Sequence, residues 1–117
     1  MDLPISAARS EIQTAEVFRL LDLVGYQEGS VVSRTIMDGN TGTVTLFAFD
    51  QAQGLSEHTS PFNALAHVLE GEVEITILGK PMNLKAGELI LMPAGQPHKL
   101  KAITRFKMLL TMIRLTS

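Results

Sequence analysis

The residues of this chain best equipped for chemistry are its three histidines, His58, His67 and His98. They fall in two short stretches, EHTSPFNALAHVLEG (57–71) and MPAGQPH (92–98). A neutral imidazole can ligate a divalent metal or hold an organic ligand by hydrogen bonding. A firmly held zinc wants three or four ligands drawn from His, Cys and carboxylate. The chain has no Cys, which removes thiolate metal sites, disulfides and a Cys nucleophile. Ser56, Thr59 and Ser60 lie beside His58, yet no Gly-x-Ser-x-Gly nucleophile elbow is present and no obvious carboxylate stands ready to orient a histidine base. The glycines are scattered at turns and form no phosphate-cradling loop. Metal ligation and ligand hydrogen bonding are therefore the chemistries to weigh.

Short extended segments must position these side chains. SVVSRTIM (30–37) is β-branched and stops at the turn signal DGNTG, and TVTLFAFD (43–50) has strand composition. In EVEITIL (72–78), Val73, Ile75 and Ile77 alternate with Glu72, Glu74 and Thr76, which gives one buried and one wet face. GKP (79–81) reads as the next turn, and MNLKAGELILMP holds two more strands around Ala86-Gly87. The run RFKMLLTMIRL (105–115) sets Phe106, Met108, Leu110 and Met112 on one side. VFRLLDLV (17–24) is apolar, ends at Gly25 and reads as a further β segment, while residues 1–16 form a weakly patterned arm. Turn signals every 8–12 residues, with no long segment of helical period, predict an all-β sandwich or barrel.

Two of these stretches resemble the motifs of the cupin family of small jelly-roll barrels. Gly87, five residues, Pro93, one residue, Gly95, two residues and His98, as in GELILMPAGQPH, is similar to the second cupin motif. The first motif runs His-x-His, three or four residues, Glu, six residues, Gly. Counting back from Gly71 puts its Glu slot at 64 and its His slots at 58 and 60. The resemblance spans roughly residues 43–115 and implies a jelly-roll, or double-stranded β-helix, barrel over 17–117 behind a short N-terminal arm. In metal-binding cupins both first-motif histidines, the Glu and the second-motif histidine hold the metal. Here His58 and His98 fit, whereas Ser60, Ala64 and Ala102 (where an Asn often stands) depart from the pattern. Half the usual ligand set is missing.

That loss orders the functions. The leading expectation is a small-molecule-binding barrel with a degenerate two-His site, in which His58, Ser60, Met92 and His98 line the ligand. The alternative is a divalent-metal-dependent oxygenase or isomerase that uses His58 and His98, with Mn, Fe, Ni or Zn completed by waters or further side chains; a scaffold domain without pocket chemistry is the third. In a regular strand over 64–69, Ala64, Ala66 and Val68 point inward while Leu65, His67 and Leu69 point out, so His67 would join the site only through a bulge. Glu57, next to His58, faces away for the same reason. The six methionines read first as core filler.

The totals agree with a single domain of 117 residues that buries a proper core. Apolar residues are 45%, charged residues 19%, and mean hydropathy is +0.19, which is apolar enough to predict a surface that enters a homodimer, as the resemblance also implies. A net charge of −2 without a Lys/Arg cluster argues against nucleic acid. No apolar run approaches a membrane span and no signal-peptide core opens the chain, so a cytoplasmic protein is the expectation.

Overall fold

The computed structural model describes residues 12–114; most of the expected arm and the last three residues lie outside them. A short 3-10 helix, Leu20–Leu23, precedes nine strands. The strands are β1 (Val31–Gly39), β2 (Gly42–Phe49), β3 (Gly54–His58), β4 (Phe62–Glu70), β5 (Glu72–Ile77), β6 (Lys80–Lys85), β7 (Leu89–Met92), β8 (His98–Ala102) and β9 (Phe106–Arg114). They form two antiparallel sheets, one of five strands in the order β1-β2-β9-β4-β7 and one of four in the order β3-β8-β5-β6. This is the all-β architecture expected from the turn spacing, and the jelly roll that the motif resemblance implied.

Period-two patterning places the core between the sheets. Ala64, Ala66 and Val68 are buried from β4, Phe106, Met108, Leu110 and Met112 from β9, and Val73, Ile75 and Ile77 from β5. All belong to one cluster that also takes Phe47, Phe49, Phe62, Met92 and Leu100. The ends of this interior differ. Phe49 pairs with Phe106, and their rings stack at 4.5 Å and 14°, which closes one end with bulk. At the other end the register runs Thr43–Met112–Ala64–Met92 across four strands, where methyl groups, thioethers and a hydroxyl replace the rings.

Two local readings are corrected. Residues 17–24 are not a strand: Leu20–Leu23 is a 3-10 turn with an Asp22 N–H to Arg19 carbonyl bond of 3.0 Å. VFRLLDLV is apolar without alternating, so it cannot offer one dry face to a sheet. It lies instead across the outside of the five-stranded sheet. Val24 is buried with Leu46 and Ala48, and Leu23, Tyr26, Val32, Ile36, Leu69 and Leu109 pack around them. This second cluster explains why Leu46 to Phe49 are all buried: both faces of β2 are covered. The turn after β5 is also one residue earlier than GKP suggests. Leu78 and Gly79, both at positive φ, make the two-residue hairpin loop, and Lys80 already belongs to β6.

Polar ties hold the 17–26 segment down. The Lys107 ammonium donates to the Leu21 carbonyl (2.7 Å), Arg34 Nη1 to the Leu23 carbonyl (3.1 Å), and the Tyr26 hydroxyl to the Glu70 carboxylate (2.5 Å). Lys107 and Arg105 also stand over the Tyr26 ring at 5.0 and 5.1 Å. Gly71, between β4 and β5, has φ +82°, and a Cβ there would collide with the Arg105 carbonyl oxygen. Only glycine fits that crossing.

Candidate functional site

His58 and His98 come together at the methyl-and-hydroxyl end of the barrel. They are directly opposed residues of the β3–β8 pair, and their rings meet edge to face with centroids 4.4 Å apart. The register of β3 shifts between Leu55 and His58, and this irregularity aligns the two rings. His58 is exposed, whereas His98 is buried behind it.

Both imidazoles are held in the same tautomer. His58 Nδ1 lies 2.7 Å from the Ser56 carbonyl and His98 Nδ1 lies 3.2 Å from the Gln96 carbonyl. A carbonyl oxygen only accepts, so each Nδ1 carries a proton, and a ring that is neutral keeps its lone pair on Nε2. Burial pushes the pKa of His98 below the ordinary imidazole value, and the neighbouring His58 ring adds to this, while the Gln96 carbonyl opposes it. His98 is therefore a neutral acceptor at neutral pH.

Two loops frame the pair. Ser60 Oγ accepts from the Phe62 N–H at 3.1 Å, its carbonyl accepts from the Gly95 N–H at 2.8 Å, and Asn63 Oδ1 accepts from the Ala94 N–H at 2.9 Å. These bonds tie residues 59–63 to the Pro93–Pro97 segment that carries the chain into His98. Met92 and Ala64 face each other across β7 and β4, both buried. Of the four residues expected to line a ligand, His58 and His98 touch, Ser60 stiffens its own loop, and Met92 is part of the interior beside Ala64. His67 is half-buried on the outer face of β4, opposite Leu89 and Leu109, away from the pair. Glu57 is exposed.

The donor set does not fit a firmly held metal. Two imidazoles converge, but the remaining ligand positions of the motif are the Ser60 hydroxyl, already engaged in its loop, and the Ala64 methyl, which cannot ligate. Among the described residues no group of three or more His, Cys, Asp or Glu side chains is arranged to hold an ion.

Sequence reasoning overlooked the hydroxyls. Thr43 and Thr45 occupy the inward positions of β2, with Ser33 and Thr35 beside them on β1; Thr45 is opposite Thr35 and Leu110. The signal was present in T-V-T-L-F, where the threonines hold the phase of Phe47 and Phe49. An open recess of ≈ 450 Å³ lies elsewhere, on the outer face of the four-stranded sheet among Ser56, Glu74, Thr76, Lys99 and Lys101. On β8 Lys99 and Lys101 alternate with the inward His98 and Leu100, so this groove is separated from the histidine pair by the sheet itself.

Comparison with known proteins places the chain. Residues 45–114 match the family model for the cupin domain. A conserved protein of unknown function from Streptococcus pyogenes is 32% identical over 98% of this chain and 100% of its own, with a TM-score of 0.87. A cupin 2 conserved barrel domain protein from Leptotrichia buccalis is 36% identical over 83% of this chain and 47% of its own, with a TM-score of 0.80. A cupin superfamily protein from Desulfitobacterium hafniense, 24% identical over 89% of this chain and 95% of its own, superposes with a TM-score of 0.84. No curated protein matches the chain. With the motif spacing, the two-sheet barrel and the matched domain in agreement, the chain belongs to the cupin family.

Proposed function

We propose that this protein is a small-molecule-binding cupin barrel whose ligand enters at the end marked by His58 and His98. The observation that carries the reading is the orientation of the pair: both Nδ1–H groups point at carbonyls, so the two Nε2 atoms are left for another molecule. Ala64, Met92 and Met112 supply the apolar surroundings such a site uses for the rest of a ligand. The methionines suit an adaptable wall. The test combines elemental analysis of untagged protein with NMR of the two imidazole Cε1–H resonances during titration with small organic compounds. Saturable shifts in metal-free protein, abolished by His98→Ala with the fold retained, are the expected result. One transition metal per chain that survives dialysis against a chelator would replace this reading with the metal-dependent enzyme.

The same reading includes a homodimer. The outer face of β4, β7 and β9 exposes Leu65, Leu89, Leu91 and Ile113 around the half-buried His67, and among the described residues β7 is an edge of its sheet. An uncharged edge strand of sequence LILM is a template for another strand unless it is covered. A second copy supplies a self-complementary cover. Wild type should elute as a dimer in size-exclusion chromatography with light scattering, and Leu89→Lys as a monomer; a wild-type monomer at micromolar concentration would remove this part.

A further inference from the structure

The hydroxyls on the barrel wall say more about the ligand than the histidines do. Three of them, Ser33 Oγ, Thr43 Oγ1 and Thr45 Oγ1, are buried with no hydrogen-bond partner among the described residues. Ser33 is 6% exposed and Thr45 only 1%. Buried polar groups are normally satisfied, because each one gives up its bonds to water on folding. Three orphans on two neighbouring strands form a single feature. Their side chains face the interior, since Thr45 is opposite Leu110, Thr43 opposite Met112 and Ser33 opposite Phe47, all of which are core residues.

Register gives the depth of each. Thr43 stands in the row with Met112, Ala64 and Met92 at the histidine end, Thr45 in the next row with Leu110 and Ala66, and Ser33 one row deeper with Phe47 and Met108. The hydroxyls thus descend the β1–β2 wall from the mouth, while His58 and His98 stand on the other sheet at the same end. Small residues, Ala64 and Ala66, occupy the Thr43 and Thr45 rows on β4.

The charge of this lining sets the class of ligand. The rows that run down from Thr43, first with Met112, Ala64 and Met92, then with Leu110 and Ala66 beside Thr45, then with Phe47 and Met108, hold no charged side chain across β2, β9, β4 and β7. Asp38, opposite Thr43, and Arg114, opposite Phe62 with its guanidinium 4.8 Å from that ring, sit exposed at the rim. His98 is held neutral, so its Nε2 accepts. An anion carried below this rim would lose its hydration, with no cation in those rows to offset the loss. A molecule with O–H or N–H donors and a carbonyl or hydroxyl acceptor meets matching partners instead, and its hydrocarbon part packs on Met92, Met112 and Leu110.

We infer that the barrel selects a small uncharged ligand, held by Ser33, Thr43 and Thr45 on the β1–β2 wall and by the histidine pair opposite. This rests on the binding function proposed above. Such a site has a recognisable signature: its polar groups weaken the empty protein and are needed only when the ligand is bound.

The test uses methyl NMR of Thr- and Met-labelled protein with matched probes, lactamide against lactate and mandelamide against mandelate. The amides should shift the Thr43, Thr45, Met92 and Met112 methyls saturably, and the acids should not. Thr45→Val should raise Tm and weaken amide binding by about tenfold, the loss expected for one hydrogen bond. Ser33→Ala provides a second variant should Thr45→Val fail to fold. Acids that shift the threonine methyls as strongly as the amides, or a Thr45→Val protein that binds amides unchanged, would overturn the inference. Probes that move His58 and His98 resonances with the threonine methyls silent would overturn it too, but leave the binding function standing. If no probe moves either set and Thr45→Val lowers Tm, the hydroxyls serve the fold alone and both readings fall.

Discussion

Tyr26→Phe offers a clean probe of how the N-terminal segment is held to the barrel. The substitution removes one atom, the hydroxyl that donates to Glu70 at 2.5 Å, and keeps the ring that Lys107 and Arg105 stand over at 5.0 and 5.1 Å. A hydrogen bond to a charged group contributes roughly 1.5–3 kcal/mol net, and partial exposure of this pair places it near the lower bound, about 1.5 kcal/mol. For a domain of this size that corresponds to a fall in Tm of roughly 6 °C. Circular dichroism melts of wild type, Tyr26→Phe, Glu70→Gln and the double variant complete a cycle, in which the double should lose little more than either single. Local opening should show first in faster amide exchange of β2, because the segment covers its outer face. A Tyr26→Phe protein that melts within about one degree of wild type, or single effects that simply add, would refute the argument that this bond anchors the segment.

Other consequences can be checked directly. Gly71→Ala should cost about 3 kcal/mol, because φ is +82° and the new Cβ meets the Arg105 carbonyl; a chemical-denaturation midpoint like that of wild type would contradict this. The pKa of His98 is depressed in the folded protein by burial, so the unfolded chain binds more protons below the ordinary value of 6.5. Stability should therefore be full above pH 6.5 and fall as pH drops toward the folded pKa, and His98→Phe should flatten that slope in denaturant titrations. The Tyr26 hydroxyl is pushed up, first by burial and then by its bond to Glu70, so its contribution is complete below the ordinary value of 10.0 and should decline above it. Tyr26→Phe should lack that alkaline decline in melts taken at increasing pH.

The strands that face solvent on one side were legible because alternation is a local property. Val73, Ile75 and Ile77, or Phe106, Met108, Leu110 and Met112, state their own phase, and no partner is needed to read it. The motif positions were legible too: Gly71, forced by its contact with Arg105, and the Gly87–His98 spacing mark crossings at which backbone geometry leaves few choices. By the same logic the methyl at position 64 and the serine at 60 already argued against a filled metal centre.

What pairing and packing decided could not be read this way. VFRLLDLV has the composition of a strand, yet it became a 3-10 turn, because the surface that accepts it, Leu46, Ala48, Val32 and Leu109, comes from three different strands. The tautomers of His58 and His98 depend on which carbonyls a β3 irregularity brings within reach. The hydroxyl wall depends on register, since Thr43, Thr45 and Ser33 become a feature only when β1 and β2 align and face Met112, Leu110 and Phe47. By itself, then, the sequence determined an all-β cupin barrel with a pair of histidines and an incomplete ligand set, since periodicity and spacing act over neighbouring residues. The tertiary structure decided which side chains share an interior and which polar atoms remain without partners there, because burial and hydrogen bonding belong to residues far apart along the chain.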